Sequence, residues 1–181
     1  MAGADDLVER AKNGDGRALD ALLERHLPMV YRFVTMRLGR DHADVDDVVQ
    51  ETLIAAASSI MSLRAERDGA APAWFLTIAR HKLADHTRRA PIRHLDAEAV
   101  VAESDVQQIV SDRDRDRRLR EAMARLTSDQ EEVLVLRFVL GFDLDQTSAI
   151  TGRTVGAVKA LQHRGLASLE RIIKGAGLES G

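Results

Sequence analysis

Basic side chains surround a glycine near the C-terminal end of the sequence, where Arg153, Lys159 and Arg164 fall within twelve residues. Guanidinium and ammonium groups neutralise phosphates, and arginine also reads the edge of guanine through paired hydrogen bonds. His163 and Thr154 add polar groups that can contact a nucleic acid. The pattern predicts a nucleic-acid-binding surface; the alternative is a packed helical hairpin with a solvated cationic face.

A second basic cluster lies between residues 80 and 93. Five basic residues stand there against one carboxylate, that of Asp85: Arg80, Lys82, Arg88, Arg89 and Arg93. Trp74 and Phe75 precede the cluster, and a basic helix beside aromatic rings suits nucleic acid whose bases have been unstacked. The alternative is that Trp74 and Phe75 belong to a hydrophobic core, because they also fall on the apolar side of the predicted helix.

Residue patterns for other chemistries are missing from the sequence. It has no cysteine, which excludes disulfides, cysteine-ligated zinc and thiol catalysis. No phosphate loop, HExxH motif or nucleophile elbow occurs, so we expect neither an enzyme nor a bound cofactor. His81, Asp85 and His86 lie close together on one predicted helix, but no further ligand can be identified and we expect no metal site.

A helix-turn-helix would present the cationic residues near the C-terminus. Asp143 or Asp145 can cap a short first helix. Gly152 can adopt a positive φ in the following turn, and a second helix starts near Thr154. The second helix should bury a stripe at helical spacing: Val155, Val158, Gln162, Leu166, Leu169 and Ile173.

The N-terminal half is predicted to be a series of helices. The expected spans are residues 5–12, 17–26, 28–38, 45–60 and 73–89. Pro28 opens the third span, because proline is favoured in a first helical turn, and residues 64–73 form a loop that Pro72 closes. Aromatic residues are only 3% of the chain, too few for the core of a β-sandwich, so we expect an all-α fold.

Residues 90–112 separate two predicted domains, 1–89 and 113–181. This segment carries five carboxylates, one arginine and no sustained periodicity, which indicates an acidic linker. The formal net charge of the chain is -3, so any nucleic-acid-binding surface must be local. The acidic N-terminus and the lack of a roughly 18–20-residue apolar run predict a cytoplasmic protein without a signal peptide or membrane insertion.

Three motifs lie in order along the chain. They are DVDDVVQET at residues 44–52, AWFLTIARH at 73–81 followed by Asp85 and Arg88-Arg89, and GAVKALQHRGL at 156–166. Together they resemble the extracytoplasmic-function (ECF) subgroup of bacterial sigma-70-type sigma factors. LTSDQE at 126–131 resembles the start of the second domain in that family. Each motif alone is modest support, whereas all three in order around an acidic linker are specific.

The resemblance implies a non-catalytic subunit that guides RNA polymerase. Asp46, Asp47 and Gln50 would dock on the clamp helices of the polymerase β′ subunit, although acidic residues also suit the N-terminus of any helix. Residues 133–140 would meet the β flap. The linker would thread toward the active-site and RNA-exit channels, where its acidity could mimic nucleic acid.

The resemblance also implies two contacts with promoter DNA. The loop at 62–72 and the helix after it would melt and hold the −10 element. The residues implied for that contact are Arg80, His81, Arg88 and Arg89. Those implied for reading the −35 element in the major groove are Arg153, Thr154, Lys159, Ala160, His163 and Arg164. An anti-sigma factor that covers the polymerase-binding faces is a further implied partner.

One part of the recognition motif departs from the family pattern. Residues 160–162 are Ala-Leu-Gln where Ser-Arg-Leu is usual, so this helix is expected to read a different or weaker −35 sequence. Two other classes of protein remain possible from the residues alone. A helix-turn-helix regulator acting without polymerase would usually need a ligand-binding or dimerisation domain, and the basic helix at 73–89 argues against an anti-sigma-like interaction protein.

Overall fold

The computed structural model describes residues 4–39, 42–63, 70–89, 118–119 and 121–178. Within these residues the chain is helical and contains no strand, as the composition predicted. The predicted acidic linker, residues 90–112, lies outside them. None of the described helices is both long enough and apolar enough to cross a membrane.

Seven helices carry the fold in the described part of the chain. They are α1 (Ala4–Lys12), α2 (Gly16–Leu38), α3 (Val45–Ser58), α4 (Ala70–Arg89), α5 (Ser128–Leu134), α6 (Leu144–Thr151) and α7 (Val155–Leu178). A 3-10 turn, Ile60–Ser62, follows α3, and a π-helical turn, Val135–Val139, extends α5.

The second and third predicted helices are one continuous helix, α2, so the predicted start of a new helix at Pro28 is wrong. The buried residues of α2 recur at intervals of three or four along its length: Leu22, His26, Val30, Phe33 and Val34. Pro28 is exposed on the opposite side of the helix. One face of α2 stays in the core along its whole length. The free energy gained by burying this face exceeds the cost of the backbone hydrogen bond that proline cannot donate.

Helix α4 starts earlier than predicted, at Ala70 rather than near residue 73. Pro72 therefore lies in the first turn of the helix and does not close a loop. A first turn accepts proline because its N–H groups have no acceptor within the helix. The predicted loop residues 64–69 lie outside the described residues.

The two described halves of the chain share a hydrophobic core. Phe33 on α2 and Phe75 on α4 are fully buried, and the same cluster continues into Leu136 and Ile150 of the second half. Charged contacts join the halves as well. Arg37 on α2 donates hydrogen bonds to two residues of α5. It contacts Glu131 Oε2 at 2.5 Å, and the carbonyl and hydroxyl oxygens of Ser128 at 3.0 and 2.6 Å.

The buried face of α7 differs from the predicted stripe. Val158, Leu161 and Gly165 are buried, whereas Leu166 and Ile173 are 41% and 48% exposed. The buried positions are spaced by three and four residues, so they share one face of the helix. Val158 belongs to the predicted stripe as well, whereas Gly165 has no side chain and adds nothing to a hydrophobicity pattern, so its place on this face could not be predicted.

Candidate nucleic-acid interface

The helix-turn-helix is held by caps at both of its helices. Asp143 caps α6: its carboxylate accepts the Gln146 N–H at 2.7 Å, and the Gln146 side chain accepts the Asp143 N–H at 2.9 Å. Gly152 ends α6 with a φ of 68°, a conformation that other residues rarely adopt. Thr154 then accepts the Ala157 N–H at 3.2 Å, which starts α7. The predicted caps at Asp143, Gly152 and Thr154 are confirmed.

The outward face of α7 carries most of the residues predicted to read DNA. Lys159, Ala160, His163 and Arg164 are all exposed, whereas Val158 and Leu161 face the core. They occupy the first three turns of the helix, the part that enters a major groove in helix-turn-helix proteins. Helix α7 can therefore present two cations, an imidazole and a small side chain to the same surface.

Arg153 and Thr154, which were also predicted to contact DNA, are engaged within the protein. Arg153 pairs with Asp129 on α5 at 2.6 Å, and its side chain is 30% exposed. The Nε of Arg153 is buried and has no hydrogen-bond partner. The Thr154 hydroxyl is used by the cap of α7. Arg153 therefore holds the turn against α5 and Thr154 caps α7, and DNA contacts from these two residues remain predictions.

The basic helix α4 divides its predicted DNA contacts between two environments. His81 is exposed, and Trp74, which lies two turns earlier on the same face, is partly buried. Trp74 packs edge-on against the fully buried Phe75, with ring centroids 5.2 Å apart. The core interpretation is thus correct for Phe75, and Trp74 packs against the same core while it stays partly exposed.

Arg80 is held by the other half of the chain. Its Nε donates to Glu132 Oε1 on α5 at 3.0 Å, and the side chains of Arg80 and Glu132 are 30% and 7% exposed. No pattern within one helix could have predicted this pair, because its partners lie 52 residues apart. In this arrangement the guanidinium of Arg80 is neutralised by a carboxylate.

The remaining charged residues of α4 do not form the trio considered from the sequence. Arg88 is exposed and pairs with Asp85 one turn away, and its contact with DNA remains a prediction. His86 contacts Asp44 instead of Asp85, with 3.1 Å between His86 Nε2 and Asp44 Oδ2. The side chain of Arg89 lies outside the described residues.

The first half of α3 exposes the acidic residues predicted to bind a protein. Asp46, Asp47 and Gln50 are exposed, whereas Val48 and Val49 face the core. Ile54 is 58% exposed and follows Asp47 by seven residues, so it lies on the same outward face. Sequence reasoning missed Ile54, although an apolar residue out of phase with the buried stripe was a usable signal.

Glu131 is the acid in the contact with Arg37. Its side chain is 17% exposed, and burial raises its pKa to about 7 although Arg37 opposes the shift and neighbouring Glu132 adds to it. The carboxylate therefore titrates close to neutral pH. A junction between the two halves thus contains an acid whose charge changes in that range.

Comparison with known proteins gives matches along most of the chain. Residues 22–91 match the family model for sigma-70 region 2, and residues 116–169 match that for sigma-70 region 4. The chain is 36% identical to the ECF RNA polymerase sigma factor SigD of Mycobacterium tuberculosis (strain ATCC 25618 / H37Rv), over 96% of this chain and 85% of that one. It is 32% identical to the ECF RNA polymerase sigma factor BldN of Streptomyces coelicolor, over 93% and 65% of the two chains.

Solved structures share the same helical arrangement. The structure of CnrH in complex with the cytosolic domain of CnrY superimposes with a TM-score of 0.71 at 25% identity, over 96% of this chain and 99% of that one. The sigma factor RpoE of Bartonella quintana, in complex with the anti-sigma factor NepR, gives a TM-score of 0.64 at 23% identity over 84% and 94%. At 23% identity, the similarity to RpoE concerns the fold alone.

Proposed function

Because the chain belongs to the ECF group of the sigma-70 family, we propose that it directs core RNA polymerase to promoters through two separate contacts with DNA. Members of this family are non-catalytic subunits of the polymerase. The residues that would carry the two contacts lie on α4 and α7. Residues 1–89 and 113–181 would form the two functional domains, and residues 90–112 the acidic linker between them.

The observation that carries this proposal is the outward face of α7. The buried face of the helix is packed on α5, and its N-terminal turns are left exposed with Lys159, His163 and Arg164. Such a helix can enter the major groove of the −35 element, where lysine and arginine neutralise phosphates or read guanine. Ala160 leaves room for a close approach to a base edge. Arg153 and Thr154 would support this surface chiefly by fixing its turn.

In vitro transcription with core polymerase on a −35-dependent promoter tests this surface. Replacing Lys159 and Arg164 by Ala is expected to reduce transcription at least about tenfold, because each base or phosphate contact contributes roughly 1–3 kcal/mol. The matched control replaces two exposed cations further along the same helix, Arg171 and Lys174. Core binding should survive in both variants; its loss in the Lys159/Arg164 variant would mean that α7 has a structural role instead.

The −10 contact is proposed for α4. His81 is exposed, and Trp74 offers a partly open ring on the same face, which suits a base removed from the stack. Arg88 and Arg89 would follow the phosphate backbone. Arg80 can join this contact only after it leaves Glu132, so binding at the −10 element requires that α4 and α5 separate locally.

The polymerase contact is proposed for two surfaces. On α3, Asp46, Asp47 and Gln50 would meet the clamp helices of the β′ subunit, with Ile54 supplying apolar contact beside them. At the end of the π-helical turn, Phe138 is 58% exposed and would dock on the β flap. A ring exposed next to buried Val135 and Leu136 can anchor this contact, because aromatic residues are enriched at protein interfaces.

An inhibitory partner is also proposed. CnrH is described in complex with the cytosolic domain of CnrY, and this chain shares its fold over nearly the whole length. A partner of this chain would cover α3 or hold the two halves together, which would keep Arg80 from DNA. Purification from native cells should recover an inhibitor with the chain; recovery of core polymerase alone, under all growth conditions, would count against this part of the proposal.

A further inference from the structure

Three potential metal ligands meet where the turn before α3 touches the end of α4. Asp44 Oδ2 lies 3.1 Å from His86 Nε2 and 3.7 Å from His42 Nδ1. A ligand atom from each of the three residues lies within 4.8 Å of those from the other two. The two imidazole rings approach edge to face, with centroids 6.1 Å apart. Two segments about forty residues apart in the chain are thus joined at one point.

These spacings fit one tetrahedral ion. Zinc binds imidazole nitrogen at about 2.0–2.1 Å and carboxylate oxygen at about 2.0–2.2 Å, so neighbouring ligand atoms of a tetrahedral site lie roughly 3.3–3.5 Å apart. The two distances from Asp44 Oδ2 fall on either side of that range. A ligand nitrogen of one histidine lies within 4.8 Å of a ligand nitrogen of the other, so side-chain rotation that closes this gap would bring the three ligands to a common centre.

The chemistry of the ligands selects the class of ion. Imidazole nitrogens favour zinc and other late first-row divalent metals, whereas magnesium and calcium prefer oxygen ligands throughout. Two histidines and one carboxylate leave a fourth position for water. The side chains of His42, Asp44 and His86 are 28%, 42% and 25% exposed, so an ion can enter from solvent without unfolding of the chain.

The surrounding hydrogen bonds and charges are compatible with a cation. The Asp44 N–H donates to His42 Nδ1 at 3.3 Å, so that nitrogen offers a lone pair, which is the form in which imidazole binds a metal. The metal would replace this long contact. One turn along α4, Lys82 is drawn toward Glu51 at 3.7 Å, and Arg88 is paired with Asp85. The exposed carboxylates of Asp46 and Asp47 add to the negative potential near the site.

We propose that His42, Asp44 and His86 bind a divalent transition metal of the zinc class. The ion joins the start of α3 to the last turns of α4. If the proposed function is correct, it thereby links the helix that binds polymerase to the helix that holds the −10 element. Metal binding itself does not depend on that function and is measured on the isolated chain.

Titration of the metal-free full chain with Zn²⁺, followed by calorimetry and metal analysis, tests the site. We expect one equivalent of Zn²⁺ per chain and a rise in the thermal unfolding midpoint on binding. Replacing His42 or His86 by Ala should weaken affinity at least about tenfold, because each change removes a direct ligand. Cobalt(II) in place of zinc should give the intense visible absorption of a tetrahedral complex, and this absorption should be lost in both variants.

His81→Ala is the matched control for metal affinity, since His81 is an exposed histidine of the same helix and lies outside the cluster. His86→Gln provides a second variant that keeps a polar side chain of similar length if His86→Ala fails to fold. Substoichiometric binding, or affinity unchanged in the His42 and His86 variants, would overturn the proposal. Transcription by the metal-free chain tests the proposed function separately.

Discussion

Gly165 sets how closely α7 approaches α5. A Cβ built at this position would lie 3.2 Å from Leu134 Cδ1, 3.3 Å from Leu134 Cγ and 3.4 Å from Gln130 Cβ. Leu134 is itself only 3% exposed, so it has little room to move. Helix α7 can therefore lie this close to α5 only because residue 165 has no side chain.

Gly165→Ala is expected to lower the free energy of unfolding by about 1 kcal/mol. The overpacking against Leu134, roughly 1–3 kcal/mol, exceeds the gain of about 1 kcal/mol in helix propensity. Gly156→Ala is the matched control on the same helix, because its nearest neighbour is Thr154 Oγ1 at 4.0 Å. That variant should be stabilised, and urea denaturation measures both. A stabilised Gly165→Ala chain would show that α7 can shift away from α5.

Glu131 makes stability depend on pH near neutrality. Its pKa in the folded chain, about 7, lies above its ordinary value of 4.5, so the folded chain holds more protons between these values. The stabilisation is complete below about pH 4.5 and is lost as the pH rises through 7.

Between pH 6 and pH 8 the contribution of Glu131 to the free energy of unfolding should therefore fall by about 1 kcal/mol. Glu131→Gln should remove this component, and Glu170→Gln, which neutralises an exposed carboxylate on α7, should leave it in place. Denaturation of the three proteins at both pH values gives the comparison. An identical pH dependence in Glu131→Gln and the unchanged chain would contradict the argument.

At the scale of the helices, local signals predicted most starts and ends. Thr127 with Gln130, and Asp143 with Gln146, form the capping boxes that start α5 and α6. These caps depend on residues three positions apart, so the sequence contains them completely. The continuity of α2 through Pro28 could not be predicted in this way, because it depends on burial against other helices.

Pro28→Ala tests how much the proline costs α2. The change restores an N–H donor inside the helix and is expected to raise the free energy of unfolding by about 1–3 kcal/mol. Glu24→Ala, four residues earlier and also exposed, is the control and should change stability by less than about 0.5 kcal/mol. Thermal and urea unfolding measure both. A loss of stability in Pro28→Ala would mean that packing of α2 requires the local geometry of proline.

At the scale of the whole molecule, the residues predicted for DNA binding are not equally available. Lys159 and Arg164 face outward, whereas Arg80 is bound to Glu132 across the two halves. The sequence predicts which residues would contact DNA and polymerase, because each motif lies within one short stretch of the chain. It could not predict the pairs Arg37–Glu131 and Arg80–Glu132, whose partners lie 94 and 52 residues apart. Whether the two halves contact each other depends on the shape and charge of their folded surfaces, which no short stretch of sequence determines.

Removing both arginines should open the molecule. Replacing Arg37 and Arg80 by Ala leaves Glu131 and Glu132 without their partners in a largely buried junction, which costs about 1–3 kcal/mol or more. We expect the ratio of open to closed molecules to rise at least about fivefold. Because the chain has no cysteine, dyes can be attached at Asp20→Cys and Arg171→Cys and the distance followed by energy transfer.

The control for this measurement removes two arginines from exposed ion pairs, those of Arg10 and Arg88. It should leave the distance distribution unchanged, because exposed pairs contribute little. An unaltered distribution in the Arg37/Arg80 variant would mean that the shared hydrophobic core alone holds the halves together.

If Arg80 contacts DNA as proposed, its contact with Glu132 also changes how the affinity for promoter DNA depends on salt. Proteins gain affinity for DNA by releasing the counterions condensed on its phosphates. In that case Arg80 leaves the carboxylate of Glu132 to reach a DNA phosphate. The freed carboxylate then attracts cations from the solution. Part of the ion release is cancelled, so the net number of ions released is smaller than the number of arginines and lysines at the interface. The carboxylate of Glu132 would thus make the proposed DNA affinity less sensitive to the ionic strength of the surroundings.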